Sequence, residues 1–173
     1  MMEDEHESAG QALARIREIT GGFAVPDYGC VTYRALMAVK ATKGRKVVVL
    51  LSDGRDEDNA GTGRGSARTQ KDVLLALKET DATIYPIGLG PHVDRELLER
   101  LAAESGGAAY FPEDVSTLRE NYARIVEELH RRYVVSYTST NGARDGGWRS
   151  VEIKTRQDDL IVRSRGGYAA PAR

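Results

Sequence analysis

Along this chain the spacing of apolar residues changes several times, and each change predicts an element. Ala12, Leu13, Ile16 and Ile19 recur at helical spacing ahead of Gly21-Gly22, which closes a helix as a C-cap would. Residues 23–29, with Pro26 and Asp27, predict an irregular link, and Tyr33, Leu36, Met37 and Val39 a second helix closed by Lys43-Gly44. Val47-Val48-Val49-Leu50-Leu51 then runs without alternation, the mark of a strand buried on both faces inside a parallel sheet. The run stops at Ser52-Asp53-Gly54, so a carboxylate stands at the carboxyl end of a buried strand, the rim where open α/β sheets bind ligands.

Residues 53–66 are rich in acidic, amide and glycine residues and predict a long rim loop. Val73, Leu74, Leu75 and Leu77 mark a third helix, and residues 83–90 a second buried strand ending in glycines. Asp94 is placed to cap a fourth helix carrying Leu97, Leu98 and Leu101 and stopping at Gly106-Gly107. Residues 108–112 predict a short edge strand, because Pro112 cannot sit in a central one. The longest helix is expected over residues 115–132, with Leu118, Tyr122, Ile125 and Leu129 on one face. Residues 133–138 read as a strand, Asn141-Gly142 as a turn, residues 149–155 as a half-exposed antiparallel strand, and Leu160-Ile161-Val162 as its return. A cross-strand contact between Tyr137 and Trp148 follows from that pairing.

The alternation of strands and helices implies an α/β, Rossmann-like, mainly parallel sheet flanked by helices, with a C-terminal antiparallel β extension. The expected divisions are residues 1–28, an N-terminal helix and linker; 29–132, the α/β domain; and 133–173, the β extension. At 173 residues a single core is expected. Lys and Arg total 25 against 26 Asp and Glu, so the net charge of −1 gives no footing for nucleic acid. The single cysteine, Cys30, forms no intrachain disulfide, and no apolar run approaches the length of a membrane span. The acidic start carries no secretory signal, which reads as cytoplasmic as encoded.

Residues 29–56, the strand from Thr83 to Leu89 and the helix leading into Gly106-Gly107-Ala108-Ala109-Tyr110-Phe111 together resemble the C-terminal two-thirds of a von Willebrand factor type A domain. The tail, with Tyr133-Val134-Val135-Ser136-Tyr137-Thr138, Trp148-Arg149 and Arg165-Gly166-Gly167-Tyr168, is similar to the extension of bacterial proteins related to that family. The resemblance covers residues 29–170 and implies a metal-ion-dependent adhesion site at the rim, where Mg²⁺ takes oxygen ligands and keeps a position for a partner's carboxylate. Asp53 matches the Asp of the third ligand loop. The Asp-x-Ser-x-Ser of the first loop is missing, and Cys30 stands where the second loop supplies a threonine, with Thr32 two residues on as the substitute.

The resemblance therefore implies a protein-binding module of the adhesion type whose Mg²⁺ site, on Asp53 and Thr32, is incomplete. The partner would be another protein, with the loop of residues 56–66 shaping specificity. Related proteins are often exported. From the residues alone, the Asp53 carboxylate can equally accept backbone N–H groups in its own turn. The competing classes are a Rossmann-like hydrolase using Asp53, which lacks a nucleophile–base pair, and a truncated remnant without function. An EF-hand reading of residues 56–59 fails because Ala60 sits where a ligand is required. Gly61-Thr62-Gly63-Arg64-Gly65 lacks the Gly-Lys-Ser/Thr ending of a phosphate cradle, and His6, His92 and His130 are scattered.

Overall fold

A computed structural model describes residues 28–55, 67–131, 133–157 and 159–172. The predicted first helix and the acidic loop from residue 56 lie outside these. The elements are α1 (Tyr28–Lys40), β1 (Val47–Ser52), α2 (Gln70–Thr80), β2 (Thr83–Gly88), α3 (Arg95–Ser105), α4 (Val115–His130), β3 (Trp148–Ser150) and β4 (Gly167–Ala169). The α/β expectation is met. β1 and β2 pair in parallel, with Val47 opposite Thr83 and Ser52 opposite Gly88. Helix α1 begins inside the predicted link, since only Gly29 after Pro26-Asp27 disfavours helix.

Alternation along the strands divides the core in two. Val48, Leu50 and Ile84 pack with Leu36, Val73, Leu77, Leu98 and Leu101 from α1, α2 and α3. Tyr85 and Ile87 turn the other way onto Ile125, with Val47, Val49, Leu118 and Leu129 partly buried around them. Helices thus cover both faces, which is why neither strand alternates in its sequence. Helix α4 is fastened to the sheet by polar groups as well, because the Tyr85 hydroxyl donates to Glu128 at 3.0 Å.

The ladder also shows which edge β1 leaves open. The N–H of Thr83 donates to the Lys46 carbonyl at 2.9 Å, and that of Leu89 to the Ser52 carbonyl at 3.2 Å. Even-numbered positions of β1 therefore turn their backbone groups toward β2, and Val47, Val49 and Leu51 turn theirs to the opposite edge. Among the described residues no strand pairs on that side.

The expected edge strand at residues 108–112 is reduced to one parallel bridge between Ile87 and Tyr110. Tyr110 donates to the Pro86 carbonyl at 2.9 Å and accepts from Gly88 at 2.8 Å. The next rungs would need N–H groups from Pro86 on one side and Pro112 on the other, and proline has none. Two prolines cut the ladder to a single rung. Just upstream, the Ser105 hydroxyl takes the Ile84 N–H at 2.9 Å, a side chain replacing a strand.

The helix ends are capped as their residues dictate. Thr69 and Asp72 form a reciprocal capping box on α2. Asp94 accepts the Leu97 N–H at 3.0 Å on α3, and Asp114 the Thr117 N–H at 2.7 Å on α4. Helix α3 stops at Gly106, whose φ of 73° is left-handed, as the Gly-Gly pair predicted.

The tail corrects the sequence reading most. Residues 133–138 form no strand and lie exposed, with Tyr133 at 94%. Leu160-Ile161-Val162 is not the return strand. Trp148–Ser150 pairs antiparallel with Gly167–Ala169 instead. β-branched composition sets a preference that only a partner strand realises, and Asn141 spends its side chain locally, accepting the Ala143 N–H at 3.1 Å. Tyr137 meets Tyr168 edge-on at 6.4 Å, not Trp148, whose ring lies under the Lys78 ammonium at 4.9 Å. The extension docks through Arg165, which donates to the Lys78 carbonyl at 3.0 Å and pairs with Asp81, and through Arg163 to Glu128 at 3.0 Å.

Candidate functional site: the carboxyl rim of the sheet

At the end of β1 the chain turns sharply, and hydrogen bonds hold the turn in place. The Ser52 hydroxyl accepts the Gly54 N–H at 3.0 Å. The Asp53 Oδ1 accepts the Arg55 N–H at 3.0 Å, the local turn that its residue type favours. The Asp53 carbonyl accepts the Asp94 N–H at 2.7 Å, tying the end of β1 to the start of α3. Gly54 has φ 78°, and a Cβ there would stand 3.2 Å from Asp94 and 3.3 Å from Leu98. Only glycine makes this turn without strain. The Asp53 side chain is thereby held at an exposed position on a fixed backbone.

Thr32 and Cys30 sit in the opening turns of α1. Cys30 is half-buried. Thr32 is fully enclosed, at 0% exposure, and its hydroxyl has no hydrogen-bond partner among the described residues. No hydrogen bond joins it to Asp53. The two residues expected to share an ion thus differ in kind: one faces solvent, the other is enclosed.

A Mg²⁺ ion needs about six oxygens in near-octahedral array. Asp53 has one oxygen committed to Arg55, Asp94 has one committed to the cap of α3, and the Thr32 hydroxyl is out of reach of water. No three His, Cys, Asp or Glu side chains come together among the described residues. Among the described residues, these side chains do not make up the oxygen shell the ion needs.

Beside the turn, the end of β2 opens into a cleft of about 420 Å³ lined by Gly88, Gly90, Val93, Arg95, Phe111 and Glu113. Arg95 lies over the Phe111 ring at 4.3 Å. A side chain at Gly88 would strike Phe111 and Val93 at 2.6 and 2.7 Å, so the cleft floor requires glycine. Sequence reading missed both the cleft and the Asp53–Asp94 link. Asp94 was legible as a cap, but its second role depends on a neighbour about forty positions away. No hydrogen bond joins exposed His92 to Ser52 or Asp53 among the described residues.

A parallel sheet covered by helices on both faces, with Leu-Ser-Asp-Gly at its rim, defines the class. The chain belongs to the von Willebrand factor type A domain family, whose model matches residues 3–124. The fold is a partial, Rossmann-like version of that domain with a separate antiparallel pair of strands. It is similar to an uncharacterized membrane-spanning protein from Vibrio fischeri, with TM-score 0.41 and 18% identity, over 70% of this chain and 56% of that one. The chain thus spans little more than half the length of that neighbour. No curated protein matches it. Among the described residues no helix is long and apolar enough to cross a membrane. Members of the family are protein-interaction modules in general.

Proposed function

We propose that this chain is a protein-recognition module that engages a partner protein at the carboxyl rim directly, with a degenerate ion site. The observation that carries the reading is Asp53: an exposed carboxylate on a backbone locked by the Asp94 N–H, with Arg55 next to it. A carboxylate fixed in this way can accept hydrogen bonds from a partner at little ordering cost. Arg95 and Phe111 extend the surface into the cleft, and the loop of residues 56–66 would add specificity. Residues 29–132 would form the module, preceded by residues 1–28 and followed by the extension at 133–173. Catalytic turnover is not part of this reading, and neither is a bridging Mg²⁺.

Photocrosslinking in cells that produce the protein tests it. A photoreactive side chain at Arg55 should capture a discrete protein, the capture should be lost with Asp53→Ala, and chelation of divalent ions should leave it unchanged. Equal capture from Glu104, at the far end of α3, would refute rim recognition. Loss on chelation, restored by Mg²⁺, would refute the metal-free mode.

A further inference from the structure

The turn at Asn141-Gly142 folds a side-chain amide back along its own backbone. Both residues are exposed, and a Cβ at Gly142 would meet nothing within 4 Å. Two hydrogen bonds converge on the pair. The Ala143 N–H donates to Asn141 Oδ1 at 3.1 Å, and the Ser139 hydroxyl donates to the Asn141 main-chain carbonyl at 3.2 Å. The Gly142 N–H itself makes no hydrogen bond among the described residues.

We propose that Asn141 is a self-modifying residue: the Gly142 nitrogen closes on its side chain, and the amide is lost as ammonia. Solvent hydroxide takes the Gly142 proton, the nitrogen bonds to Asn141 Cγ, and the Cγ–Nδ2 bond breaks, leaving a cyclic imide. Water then adds to one of the two imide carbonyls and breaks its bond to the Gly142 nitrogen. Opening at the main-chain carbonyl gives isoaspartate, and opening at Cγ gives aspartate. Each hydrogen bond assists one step. The deprotonated peptide group shares its charge with the Asn141 carbonyl oxygen, which the Ser139 hydroxyl stabilises by donation. On attack, negative charge develops on Oδ1, where the Ala143 N–H already donates. With no Cβ on Gly142, the nitrogen approaches unhindered.

Two other residues share this local geometry and are held back from the reaction. Asp53 Oδ1 accepts the Arg55 N–H at 3.0 Å, but the Gly54 N–H is committed to the Ser52 hydroxyl at 3.0 Å. Asp145 Oδ1 accepts the Gly147 N–H at 2.9 Å and the Arg149 guanidinium at 2.8 Å, and these hold its carboxyl below the usual range. A carboxylate repels an anionic nitrogen, whereas a neutral amide does not. Asn121 is buried within α4. Among the described residues the reaction is therefore specific to Asn141. It adds a negative charge to the C-terminal extension, at a turn whose Ala143 carbonyl accepts from Arg149 at 3.4 Å.

Peptide mapping by mass spectrometry, after days of incubation at mildly alkaline pH, tests this on the intact folded chain. The peptide containing Asn141 should gain the mass difference between an amide and an acid, and split into aspartate and isoaspartate forms. The peptide containing Asn121 should do neither. Gly142→Ala should slow conversion by about tenfold, because a Cβ crowds the attacking nitrogen. Ser139→Ala should slow it by about fivefold, the worth of one hydrogen bond, and that difference should vanish when both chains are unfolded in urea. An Asn141 that keeps its amide in the folded chain overturns the proposal, whether or not the unfolded chain converts. So does a folded Ser139→Ala or Gly142→Ala that converts as fast as the parent. A Ser139→Ala effect that is equally large in urea also overturns it, since the fold would then contribute nothing.

Discussion

The backbone N–H of Asp94 donates to the carbonyl of Asp53 at 2.7 Å, so the end of β1 and the start of α3 move as one piece. Asp94 also caps α3 through its side chain, accepting the Leu97 N–H. The rim carboxylate is therefore anchored to a helix whose Leu98 and Leu101 are fully buried. The stiffness of the rim is inherited from the core beneath it.

That link makes Gly54 a sensitive position. Gly54→Ala puts a Cβ against Asp94 and Leu98 in a left-handed backbone, and should lower stability by about 1–3 kcal/mol. Urea unfolding measures the loss. Amide exchange at Asp94 should rise with it, because its hydrogen bond to Asp53 is the one the new side chain pushes apart.

Asp114 gives the fold a predictable acid dependence. The Thr117 N–H, then the Thr117 hydroxyl, hold its pKa below the ordinary value. A lowered folded pKa means that the carboxylate stabilises the fold above about pH 4 and that this contribution fades as pH falls through the folded value. Asp114→Ala should lower Tm at neutral pH, and the gap from the parent should narrow under acid. A gap that stays constant between neutral pH and acid would count against the capping role.

The C-terminal extension should come loose through one residue. Arg165 pairs with Asp81 and donates to the Lys78 and Leu77 carbonyls at the end of α2, at 3.0 and 3.4 Å. Arg165→Ala removes these contacts and should cost about 0.5–1.5 kcal/mol, because water can reach the exposed Asp81 carboxylate. Limited proteolysis reads the effect: cleavage within residues 133–173 should accelerate well before the α/β core is cut.

Much of the fold was legible because it is written locally. The unbroken Val47–Leu51 run declared a strand covered on both sides, and Asp94 and Gly106-Gly107 marked the ends of α3. What stayed hidden depends on partners distant in sequence. Residues 133–138 have strand composition but find no neighbour, while Gly167–Ala169, which do not look like a strand, lie against Trp148–Ser150. There a Cβ at Gly167 would collide with the Arg149 carbonyl, so the glycine that weakens the strand signal is what permits the approach. At the rim, Asp53 and its turn were readable from Ser52-Asp53-Gly54. The enclosure of Thr32 was not, because one helical position is distinguished from the next only by the packing of α1 on its neighbours.

Calorimetric titration of Mg²⁺, and of Mn²⁺ in parallel, into the intact chain and into Asp53→Ala tests the central claim most directly. The account predicts that the two proteins give indistinguishable heats, with no saturable binding in the low-millimolar range, because one exposed carboxylate cannot replace the ion's water shell. Saturable binding in that range or tighter, abolished by Asp53→Ala, would contradict it.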